Sequence, residues 1–174
     1  MARAGWIVPF LASLGALLAN AQEGTPDAET LRMRDRAALL DLRTVLVAAR
    51  EFARGNGGYF GELRCLTTPE SCRPDYPKDK APLLDPTHDW RATRLGYVRK
   101  FHPGPLVDEP TRARAAAAAG SLKSFAFTVA PETPGQTGLR AFCGDSTGKV
   151  CAVASGEPPP VKDGLCQPPC QELK

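Results

Sequence analysis

The chain has only two histidines, His88 and His102, and aromatic residues make up 7% of it. It contains no Cys-x-x-Cys pair, which excludes the two-residue-spaced redox motif. No run of alternating Asp or Asn ends in Glu, which excludes an EF-type calcium loop. So low an aromatic content means that Leu, Val, Ala and Phe must build the core. A formal net charge of +3 is too small to indicate a nucleic-acid partner. There is no internal repeat. Beyond the first 21 residues, no stretch is apolar enough to consider as a membrane span.

Those first residues carry the clearest targeting signal. Arg3 supplies a positive start, residues 6–18 form a short apolar run, and Ala19-Asn20-Ala21 presents small side chains where a signal peptidase reads. The pattern is that of a secretory signal cut after Ala21. The run is too short for a bilayer core of about 30 Å. The expectation is an exported protein, periplasmic or extracellular, with no transmembrane segment once the leader is gone. All six cysteines lie in the remainder: Cys65, Cys72, Cys143, Cys151, Cys166 and Cys170. An even count in an exported chain reads as three disulfides. The connectivity is open, but the spacing suggests sequential neighbours: 65 with 72, 143 with 151, 166 with 170.

Thr25-Pro26-Asp27 is a helix start. Thr can cap, Pro is preset for the first helical position, and Asp27 and Glu29 suit the positive helix end. Leu31, Ala38, Leu42, Val45, Ala49 and Phe52 then recur with helical period, widened by Leu39, Leu46 and Ala53. A helix over residues 26–54 would be about 43 Å long at about 1.5 Å per residue. Gly55-Asn56-Gly57-Gly58 ends it. Prolines keep residues 59–94 irregular, apart from a short helical turn over 61–65. Strands are expected over 95–102 and 122–130, and a hairpin over 139–154. The alanine run 115–119 reads as helical. Helix first and strands after gives an α+β class, with one long amphipathic helix packed on an antiparallel sheet of three to four strands. The expected organisation is a leader (1–21), a single domain (22–154) and a Pro-rich tail (155–174) stapled by a disulfide.

The segments Ala48-Ala49-Arg50-Glu51-Phe52, Asn56-Gly57-Gly58-Tyr59 and Gly96-Tyr97 come in order along the chain. They are followed by Phe125-Ala126-Phe127-Thr128-Val129-Ala130-Pro131, Pro134-Gly135-Gln136-Thr137-Gly138-Leu139-Arg140, and Phe142 with Asp145-Ser146-Thr147-Gly148-Lys149-Val150. In this order the chain resembles the globular half of type IV pilins and type II secretion pseudopilins, over roughly residues 37–153. Pilins also keep a long apolar amino-terminal helix after a glycine cut site; here the leader is an ordinary signal and the helix is amphipathic. The resemblance therefore implies a pilin-like head exported as a separate domain. It would be a non-enzymatic component of a pilus or secretion apparatus, or a free envelope-binding protein, with no cofactor.

Three sets of residues are candidates for function. Ser146 lies in Gly144-Asp145-Ser146-Thr147-Gly148, which is similar to a chymotrypsin-type serine motif but also ordinary turn chemistry. Asp85, His88 and Asp89 are close enough to suggest a metal cluster, but no fourth ligand stands at a recognisable spacing, and the segment also reads as a turn with Asp89 or Thr87 capping a short helix through Trp90. Either set would serve the alternative reading, a small exported hydrolase. The third set is on the long helix. At 100° per residue, Arg32, Arg36, Arg43, Arg50 and Arg54 share one face away from the apolar stripe, with Leu40 and Val47 beside them. Arg36, Arg43, Arg50, Leu40 and Val47 are the expected contact residues, for an envelope, pilus or secretion protein or an anionic surface.

Overall fold

A computed structural model of the chain describes residues 26–173. The expected leader and Thr25 lie outside these residues. The long helix α1 runs Ala28–Arg54. Its cap is Asp27, whose carboxylate accepts the Thr30 N–H at 2.7 Å; Pro26 precedes the helix instead of opening it. An acidic N-cap meets both the orphan donor and the positive helix end, so it is a sufficient start on its own. The helix ends at Gly55. Gly57 follows at φ +62°, a left-handed angle glycine adopts without strain.

After α1 come a short helix α2 (Leu63–Thr67), a single 3-10 turn (Pro69–Ser71) and an irregular stretch to strand β1 (Tyr97–Pro103). Helix α3 spans Glu109–Ala115, followed by β2 (Phe125–Pro131), β3 (Ala141–Asp145) and β4 (Val150–Val153). Of the alanine run 115–119 expected to be helical, only Ala115 is. Asp108 caps α3 and Pro110 sits in its first turn, but Ala116 already has left-handed backbone angles and closes it. Alanine is the best intrinsic helix former, but propensity is a weak prior that tertiary contacts override; here the Ala118 N–H is taken by Asn56 Oδ1 at 2.8 Å instead of a helical carbonyl.

The main correction concerns the tail. It contributes the hairpin β5 (Val161–Lys162) and β6 (Leu165–Cys166), then β7 (Gln171–Glu172). The antiparallel sheet consequently has five strands, in the order β1-β2-β3-β4-β7, instead of three to four. Side chains alternate across it. Phe125, Phe127, Val129 and Phe142 face α1, where they pack with Leu42, Val45, Leu46, Ala49 and Phe52. Gly144 lies beneath the helix, and a Cβ there would come within 2.7 Å of both the Leu42 and Leu46 side chains. The absent side chain is what lets helix and sheet approach.

Ala126, Cys143, Cys151 and Val153 occupy the opposite face and form a second, smaller core with Cys166 and Cys170. All six cysteines are disulfide-bonded, and only Cys65–Cys72 follows the expected pairing. The other two bonds are Cys143–Cys166 and Cys151–Cys170. Hydrogen bonds set this choice. The Asp145 carboxylate accepts the Cys166 N–H at 3.0 Å, holding Cys166 over β3. Pairing of β7 with β4 places Cys151 opposite Glu172 and brings Cys170 to β4. The tail disulfides therefore staple the segment around Cys166 and Cys170 onto the sheet instead of closing local loops. Three disulfides fit a chain that matures outside the reducing cytosol. No helix among the described residues is long and apolar enough to cross a membrane.

Candidate functional site

The inner face of α1 carries two buried carboxylates, Asp35 and Asp41, within its apolar stripe. Asp35 accepts the Tyr97 hydroxyl (2.5 Å), the Leu139 N–H (2.8 Å) and Arg140 Nε (3.0 Å). Asp41 meets Arg94 at 2.5 Å and Arg99 at 3.5 Å. Arg99 is buried, and its guanidinium also donates to the carbonyls of Ala92 (2.7 Å) and Asp89 (2.6 Å). Burial, and then the Asp35 hydrogen bond, push the Tyr97 hydroxyl pKa far up; burial pulls the Arg99 guanidinium down, against the opposing charge of Asp41. Two of the helix's acidic groups are thereby turned inward to arginines of other elements. They cannot neutralise the arginines on its outer face.

That outer face is the site expected from helical geometry. Arg32, Arg36, Arg43, Arg50 and Arg54 are all exposed. Arg54 pairs with Glu51 at 2.7 Å, which also meets Lys80 at 3.5 Å. These two cations hold the Glu51 carboxyl below its usual range, Arg54 first. Among the described residues, Arg32, Arg36, Arg43 and Arg50 make no ion pair. Arg50 leans over the β3–β4 turn, where its guanidinium covers Gly148. Leu40 and Val47 are each 65% exposed.

Two features were not anticipated. Met33, seven residues before Leu40, is 55% exposed on the same side of α1. Residues 80–83 of the proline-rich stretch run alongside the helix and border an open groove of about 550 Å³. Its walls include Leu40, Arg43 and Val47 from α1, and Lys80, Pro82 and Leu83 from the loop. The Met33 position was legible by extending the seven-residue spacing one step back. The loop's approach to the helix leaves no local pattern.

The hydrolase candidates are not brought together. Ser146 begins the β3–β4 turn, and its N–H donates to the Phe125 carbonyl at 2.9 Å. Its neighbour Asp145 accepts from the Thr147 N–H and hydroxyl and from Cys166. Neither histidine bonds to Ser146. His102 Nε2 lies 2.8 Å from the Thr128 hydroxyl, on the sheet face away from α1. His88 Nε2 faces Arg99 Nη1 at 2.9 Å, so it acts as the acceptor there. Asp85 and Asp89 each fold back on their own turns, Asp85 onto Thr87 and Asp89 onto the N–H groups of Arg91 and Ala92. The Thr87 bonds hold the Asp85 carboxyl below its usual range. No helix follows through Trp90. The Asp85, His88 and Asp89 segment is a pair of turns with a guanidinium beside its imidazole, an unfavourable place for a cation. Among the described residues, the close cluster of metal-type ligands is Cys143, Cys151 and Cys166, and their sulfurs are held in disulfides.

Compared with known proteins, the chain matches no family model, no curated protein and no solved structure.

Proposed function

We propose that this protein is an exported, disulfide-stapled interaction domain that works by presenting the outer face of α1. It would serve as a non-enzymatic, pilin-like head in a pilus or secretion apparatus, or as a free binding protein of the periplasm or extracellular space. One observation supports the reading: four exposed arginines without ion partners among the described residues, in line on one helix, beside apolar side chains exposed to 65%. Uncompensated like charges repel one another and lower stability if anything, so their alignment supports a role in contact. Arg36, Arg43 and Arg50 would meet anionic groups, and Leu40 and Val47 would supply apolar area at the centre of the contact.

The test is the triple variant R36E/R43E/R50E. Exposed charges away from caps and cores change stability by only about 0.5 kcal/mol each. The variant should melt within a few degrees of the parent and should lose retention on polyglutamate and on phosphatidylglycerol vesicles. Co-purification of the parent, but not the variant, with pilus or secretion components would place it in an apparatus. A collapse in melting temperature would mean that the face is buried, and the reading would fail.

A further inference from the structure

The outer face of α1 carries two registers, both with a period of seven. Met33, Leu40 and Val47 form an apolar row, exposed to 55%, 65% and 65%. Arg36, Arg43 and Arg50 form a parallel row three residues on, exposed and without ion partners among the described residues. A period of seven on a helix keeps a seam facing one direction, which is how a second helix is accommodated lengthwise. Fourteen residues of such a seam span roughly 21 Å at about 1.5 Å per residue. Along its second half the seam opens into the groove of about 550 Å³ walled by Pro82 and Leu83.

We infer that this seam seats an acidic amphipathic helix of a partner protein. The inference rests on reading this face as a contact surface and names what the surface contacts. The bound helix places an apolar side chain every seventh residue against Met33, Leu40 and Val47, and one of these enters the groove between α1 and the loop. Carboxylates on the same period face Arg36, Arg43 and Arg50, where bidentate guanidinium pairs fix register as well as sign.

Charge selects this occupant. A second copy of the chain would bring two arginine rows into one seam, with Glu51 already engaged by Arg54 and Lys80. Like charges across an interface cost several kcal/mol by general experience. A membrane surface is disfavoured on shape and composition. The groove is concave, and among the described residues the exposed large apolar side chains are Met33, Leu40, Val47, Leu95, Val98 and Leu106, with no Trp, Tyr or Phe for the headgroup layer.

The experiment uses the disulfide-bonded chain and a fluorescein-labelled three-heptad peptide, with leucine at one position and glutamate at the flanking positions of each heptad. Its comparators are polyglutamate, the same peptide with lysine for glutamate, and phosphatidylglycerol vesicles. The glutamate helix should bind at least tenfold more tightly than any of these. L40S/V47S should lower its affinity at least tenfold and leave polyglutamate binding unchanged. R36E/R43E/R50E should abolish binding of both, with circular dichroism showing each variant folded. Polyglutamate binding as tightly as the helix, with L40S/V47S neutral, would overturn the inference and leave the arginine-face reading intact. Arginine variants with no effect would overturn both. A dimer in sedimentation that L40S/V47S disperses would give the seam to a second copy, and vesicle binding stronger than peptide binding would give it to the membrane.

Discussion

Replacing Asp35 with alanine should unlock α1 from the far end of the sheet. Asp35 is 2% exposed, and its carboxylate ties the helix to Tyr97 of β1 and to Leu139 and Arg140 just before β3. Not every partner suffers equally when it goes. The Tyr97 hydroxyl keeps the Arg140 carbonyl at 3.1 Å, and the Arg140 side chain is 45% exposed and can turn to water. The half-buried Leu139 N–H, at 2.8 Å from Asp35, makes no other hydrogen bond among the described residues. Breaking a fully buried pair costs about 3–5 kcal/mol, and a stranded donor about 1–3. Discounting for the exposed guanidinium gives about 3 kcal/mol. At about 2–4 °C per kcal/mol for a domain of this size, the melting temperature should drop by roughly 6–12 °C. Asp35→Asn keeps the shape and one acceptor and should cost about half as much. Urea unfolding with the disulfides intact, followed at 222 nm, measures both at unchanged m-value. Tyr97→Phe combined with Asp35→Ala should be non-additive, because the two groups share a hydrogen bond. An Asp35→Ala variant within about 0.5 kcal/mol of the parent would refute the clamp.

Trypsin under non-reducing conditions should release peptides 141–149, 150–162 and 163–174 as one unit joined by two disulfides. A 141–149/150–162 pair with 163–174 separate would restore the sequential pairing. Loss of Cys143–Cys166, with a separation of 23 residues, should cost about 3 kcal/mol on the chain-entropy scale, read from urea unfolding of C143S/C166S. Gly144→Ala drives a methyl group into Leu42 and Leu46 and should destabilise by about 1–3 kcal/mol; no loss would show that helix and sheet are farther apart. Burial, then the neighbouring Lys100, holds the His102 imidazole below its ordinary value. In that window the unfolded chain binds more protons than the native one. Stability from this group is complete above about pH 6.5 and is lost as the pH falls through the folded value. Melting curves from pH 8 to 4.5 should therefore fall more steeply for the parent than for His102→Gln, and parallel curves would contradict this.

The helix was legible because its stripe repeats over many turns, and residues expected inward at 31, 38, 42, 45, 49 and 52 are all buried. The same pattern hid the two clamps. Asp35 falls on the stripe by position, but its partners Tyr97 and Arg140 lie far along the chain, and nothing local marks a carboxylate as satisfied. Strand β1 followed from partial alternation, β2 from its strand-forming residues, and β3 and β4 from the turn between them. The tail strands did not, because two-residue strands carry no period and prolines pointed to an appendage. Disulfide spacing misled for a related reason: closeness in sequence counts for less than the backbone hydrogen bonds that seat Cys166 and Cys170 on different strands. At the candidate site, the arginine row and Leu40 and Val47 came from angular arithmetic alone. The groove needed the approach of Pro82 and Leu83, a long-range packing event.

The most direct test of α1 as the contact face is a charge-reversal scan with equal charge changes at different places. Arg36→Glu, Arg43→Glu and Arg50→Glu lie on the row; Arg64→Glu, Arg91→Glu and Arg114→Glu are exposed elsewhere. Each variant would be titrated with polyglutamate at one ionic strength. Severalfold weakening confined to the first three is the expected result, and equal weakening by all six would show that net charge, not this helix, does the binding.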